Sequence, residues 1–85
     1  MRPKDILPDE VNEVMLEGVR VRKGSVGAFL SNARVVLDHS ATPEARAAAE
    51  KHIEEIVPAL DALGLFQVLE IRDRRVREIV ERAHG

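Results

Sequence analysis

The sequence predicts a mainly α domain of three to four short helices, with room for a small α+β variant in which residues 19–22 and 66–71 form a short strand pair. Three observations carry that expectation. Val26, Phe29, Leu30, Ala33, Val36 and Leu37 recur at the i, i+3, i+4, i+7 spacing of an amphipathic helix. Thr42, Pro43 and Glu44 are the residue types that start a second helix. The alternation Val19, Arg20, Val21, Arg22 reads as a strand, but four residues cannot make a sheet alone.

Along the chain, Pro8, Asp9 and Glu10 look like a helix start, with two acids where the dipole favours them. Val11, Val14 and Met15 would share one side of that helix, and Gly18 would end it. After the strand at residues 19–22, the clearest helix spans residues 25–38, with Ser25 as its N-cap. The helix beginning at Thr42 carries Ala45, Ala49, Ile53, Ile56 and Leu60 on its stripe and stops at Gly64. Pro58 interrupts it: the ring clashes with the Glu54 carbonyl and offers no N–H, which predicts a kink or break.

Residues 66–71 fit either a strand or a helix. The Gly64 before them and the Asp73 cap after them favour a strand. A last helix over residues 73–83 buries Val76, Ile79 and Val80. Its outer face offers Arg74 to Glu78, Arg77 to Glu81 and Glu78 to Arg82 as pairs four residues apart.

Eighty-five residues make one domain, 1–85, which buries roughly 60–65% of the surface its unfolded chain exposes. Only Phe29 and Phe66 are aromatic, so the core depends on aliphatic side chains, and there is no Cys to staple it. Small chains without staples make up such a deficit by oligomerising. A dimer or larger homo-oligomer is therefore expected, with another protein as the alternative partner.

The missing cysteines fit a reducing compartment, and the first residues lack the apolar run of a signal peptide. No ~18-residue apolar stretch occurs, so no membrane span is expected and the cytoplasm is the default location. The excess of Arg over Lys, with abundant Ala, fits a small protein from a GC-rich bacterial genome.

Net charge is −2, which gives no global attraction to nucleic acid. The charges are nonetheless clustered. Asp5, Asp9, Glu10, Glu13 and Glu17 precede Arg20, Arg22 and Lys23, and a second basic group comprises Arg72, Arg74, Arg75 and Arg77. Asp73, Glu78 and Glu81 interleave with the second group, which marks a solvated helix face.

The stretch Arg20, Arg22, Lys23, Gly24, Ser25, Gly27 has the ingredients of an anion site: basic residues and a glycine turn at a helix N-terminus. It matches neither the P-loop nor the dinucleotide fingerprint. The spacing of Gly24 and Gly27 is similar to the loop of KH nucleic-acid modules, but that loop joins two helices and this one precedes the first. The structural alternative is preferred: Gly24 ends a strand, Ser25 caps a helix and Gly27 permits close packing.

His39, His52 and His84 lack zinc-site spacing, and His52 is expected to pack at the edge of its stripe. Asp38, His39 and Ser40 have the letters of a hydrolytic triad, but adjacent residues cannot assemble one. Neither catalytic residues nor a cofactor is expected. The function expected is that of a non-enzymatic interaction module that self-associates through apolar helix faces. Anion or nucleic-acid binding through residues 20–27 is the alternative.

Overall fold

The computed structural model describes residues 13–16, 18–22 and 24–84. In chain order these form β1 (Glu13–Leu16), β2 (Val19–Arg22), α1 (Ser25–Leu37), α2 (Pro43–Ala62), α3 (Leu65–Val68) and α4 (Arg74–Ala83). The described residues are thus mostly helical, with four helices and one strand pair.

Residues 13–16, expected in a helix, are instead a strand antiparallel to β2, with Glu13 opposite Arg22 and Leu16 opposite Val19. The earlier part of that expected helix, before residue 13, lies outside the described residues. Gly18, expected to end a helix, turns the hairpin at φ 78°, a left-handed value suited to a two-residue hairpin loop. A strand at residues 19–22 needs its backbone groups paired, and the chain immediately before a tight turn is the nearest donor of partners. Local closure won over helical periodicity.

Residues 66–71, expected to pair with residues 19–22, form no strand. Gly64 turns the chain at φ 82°, α3 makes a single helical turn, and the Leu69 N–H donates to the Leu65 carbonyl at 2.8 Å. Residues 69–72 then run without regular structure to α4. With β2 already paired to β1, a helical turn satisfies locally the backbone groups that a lone strand would leave open.

The start of α2 follows the sequence: the Ala45 N–H donates to the Thr42 hydroxyl at 3.0 Å, and Pro43 opens the helix. Asp73 caps α4 in the same way, accepting from the Val76 N–H at 2.9 Å. At α1 the N-cap is Gly24, at φ 91° and with no side-chain cap bond, and Ser25 is already the first helical residue. The assignment of Ser25 as the cap is corrected: a left-handed glycine makes the turn from β2 into the helix.

Pro58 does not break α2, which continues to Ala62. An interior proline costs about 3 kcal/mol. Its neighbours Val57 and Leu60 are fully buried, and each such side chain returns about 1.5–3 kcal/mol. Tertiary burial thus outweighs the local penalty, while Pro58 itself stays exposed.

Helix α2 is the hub, packing against α1, α3, α4 and β2. Phe29, Ala33 and Val36 from α1 meet Ala49, Ile53, Val57 and Leu60 from α2, and Val76, Ile79 and Val80 from α4 close the core. No polar or charged side chain is buried among the described residues.

Candidate functional site

The apolar stripe of α1 is wider than the core it faces. Phe29, Ala33 and Val36 point inward, but Val26, Leu30 and Leu37 remain 41%, 49% and 42% exposed. Beside them runs the segment after α3, where Leu69 is 58% exposed. Between α1 and this segment lies an open groove of about 360 Å³, with Phe29, Phe66 and Val76 in its lining and Glu70, Arg72 and Asp73 on the same wall. Its lining is overwhelmingly apolar.

Arg77 fixes one wall of the groove. Its Nε donates to the Ile71 carbonyl at 2.9 Å and a terminal amine donates to the Arg72 carbonyl at 3.2 Å. The expected pairing with Glu81 is replaced by this strap, since two carbonyls outside regular structure need donors more than an exposed carboxylate does. The floor is stiffened by Phe66, which stands edge-on to Phe29 and also to His84, whose ring centroid is 5.6 Å away. His84 Nε2 lies 3.5 Å from Asp61 Oδ1.

On the α2–α4 side the surface is charged. Arg74 pairs with Glu78 at 3.3 Å, as the spacing predicts. Arg82 does not take Glu78 as its partner; it bonds Glu50 and approaches Glu54 at 3.8 Å, joining α4 to α2. The Glu50 hydrogen bond, then that carboxylate's charge, raises the Arg82 guanidinium above its ordinary value. Arg75 borders the same shallow depression as Glu50, Glu78 and Arg82, a place of compensated charge rather than a basic patch.

The anion candidates fall on different elements. Arg20 and Arg22 belong to β2, paired with Met15 and Glu13, while Lys23 lies outside the described residues. Gly24 supplies the helix cap, and Ser25 and Gly27 fall in the first turn of α1. A Cβ at Gly27 would meet none of the other described residues within 4 Å, so the close packing expected at this glycine does not occur against them.

Asp38, His39 and Ser40 form a turn, in which the Ser40 N–H donates to Asp38 Oδ1 at 2.8 Å. His52, expected to pack at the edge of its stripe, is exposed. Among the described residues, no three His, Cys, Asp or Glu residues gather as a metal site. No helix in that set is long and apolar enough to cross a membrane.

Sequence periodicity places Val26, Leu30 and Leu37 on one stripe with Phe29, Ala33 and Val36, without separating its exposed members from its buried ones. The signal for their exposure is the stripe's width: six apolar positions in one short helix exceed what one neighbouring helix covers. Leu69 gave no comparable signal, because its exposure depends on residues 66–71 not forming a strand. Comparison with protein-family models, curated proteins and solved structures yields no match, so the geometry alone guides the functional reading.

Proposed function

We propose that the chain is a small, non-enzymatic intracellular interaction module that self-associates, at least as a dimer, through the apolar face of α1 and its adjoining groove. The observation supporting this reading is the continuous exposure of Val26, Leu30, Leu37 and Leu69 around one apolar depression. Isolated exposed leucines are ordinary; a contiguous set around a concavity marks an interaction surface. In a symmetric dimer each apolar contact occurs twice, so a modest patch gains twice over. A cytoplasmic bacterial setting accords with the lack of cysteine and the Arg- and Ala-rich composition.

Light scattering across a concentration series tests the proposal. A mass of at least twice 9.5 kDa at micromolar concentration, with a melting temperature that rises with concentration, is the expected result. A 9.5 kDa mass persisting to ~100 µM, with a concentration-independent melting temperature, overturns it.

A further inference from the structure

We propose that the occupant of the groove is the same groove on a second copy, docked about a two-fold axis, with Glu70 facing the partner's Arg72. This rests on the self-association proposed above and identifies its surface and symmetry.

Two properties of the groove single out a second copy. First, it carries its own plugs. Leu30 and Leu69 stand about half out of the surface directly beside the space between α1 and residues 69–72. Rotation by a two-fold axis presents one copy's protruding leucines to the other's groove, as an isologous interface requires.

Second, the rim is charge-complementary to itself. Glu70 and Arg72 border the groove, and their side chains make no hydrogen bond or ion pair among the described residues. The third rim charge, Asp73, is already engaged in capping α4. One free acid and one free base cancel toward a charged peptide or an anionic amphiphile. Two copies related by a two-fold axis that passes between Glu70 and Arg72 place each acid opposite a base, twice. The Arg77 strap holds residues 71 and 72 in place, which lowers the ordering cost of binding there.

The experiment is sedimentation equilibrium on the full chain and on Leu30→Glu, Glu70→Arg, Arg72→Glu and the Glu70→Arg/Arg72→Glu double variant. Leu30, Glu70 and Arg72 are all exposed, so circular dichroism should show every variant folded. Leu30→Glu and each single charge reversal should weaken the dimer at least tenfold, by burying a charge or by placing like charges opposite each other. The double reversal should return the dimer constant to within about threefold of wild type, because each copy again faces its complement.

A wild-type monomer defeats the underlying self-association. A wild-type dimer indifferent to all four variants leaves self-association standing and overturns this interface. A dimer that Leu30→Glu disrupts but the double reversal does not restore overturns the two-fold charge pairing. A monomer that binds a fluorescent fatty acid, and loses it in Leu30→Glu, gives the groove to a small apolar ligand and overturns the proposal.

Discussion

Phe29 and Phe66, the chain's two phenylalanines, stand edge to face with ring centroids 6.4 Å apart and planes inclined by 64°. The first is buried in α1 and the second half-buried in the single-turn α3, so this contact ties the irregular segment to the core. Such pairs contribute about 0.5–1.5 kcal/mol beyond the area they bury.

Phe29→Ala should cost about 3–5 kcal/mol, enough to unfold a domain of this size, whereas exposed Ser31→Ala should change stability by less than about 0.5 kcal/mol. Urea denaturation measures both. The milder Phe29→Leu and Phe66→Leu changes, combined in a double-mutant cycle, should show a coupling of about 0.5–1.5 kcal/mol. A Phe29→Ala variant melting within a few degrees of wild type contradicts the buried placement.

The helix starts should respond by mechanism. Thr42→Ala and Asp73→Ala each remove a side-chain acceptor from a first-turn N–H and should cost about 0.5–2 kcal/mol. Gly24→Ala should cost about 1–2 kcal/mol for a different reason, since its φ of 91° is strained for any residue with a Cβ. Thermal melts of the three variants check the set.

Pro58→Ala should stabilise the domain by about 1–3 kcal/mol. The new N–H can donate to the Glu54 carbonyl, and the gain exceeds the ~0.4–1 kcal/mol lost by freeing the unfolded chain. The exposed position leaves room for the change. A lower melting temperature in this variant would show that the proline is required where it stands.

Arg77→Ala should cost about 1–3 kcal/mol, because two carbonyl contacts to a charged donor disappear together. Arg77→Lys should recover less than half, since an ammonium lacks the planar fork that reaches both oxygens. Amide exchange should quicken around residues 69–72 before the rest of the core loosens.

Titration with RNA, duplex DNA and nucleotides at low and moderate salt should detect no binding tighter than ~10 µM, as expected at a net charge of −2. Salt-sensitive binding below that level, abolished by Arg22→Ala and Lys23→Ala, would instead assign an anion site to residues 20–27.

What was legible in the sequence was local. Thr42 with Pro43, Gly64 and Asp73 each act on the backbone within a few residues, and each performs the expected role. The α1 periodicity located the helix and its buried Phe29, Ala33 and Val36. What eluded the pattern depends on partners distant in sequence or on competition between nearby ones. Val14 and Met15 fit helical spacing, yet pairing to Val21 and Arg20 claimed them for a strand. Residues 66–71 had strand composition, yet the backbone after Gly64 closed a local helical turn instead. Of the candidate surface, Leu30 and Leu37 were visible as members of the α1 stripe, but which members the core covers was not. The Arg77 strap was invisible, because its carbonyl acceptors leave no mark on residue type.

The hub position of α2 has a kinetic consequence. Only residues 38–42 separate α1 from α2, so that helical pair can form early, with little loop-closure entropy to overcome. The connection between α2 and α4, residues 63–73, is about twice as long. The rate-limiting barrier should therefore be crossed with α1 and α2 joined and α4 still undocked. Ala49→Gly should then slow refolding in stopped-flow experiments, whereas Val76→Ala should chiefly hasten unfolding. The last helix to dock would be the first to leave.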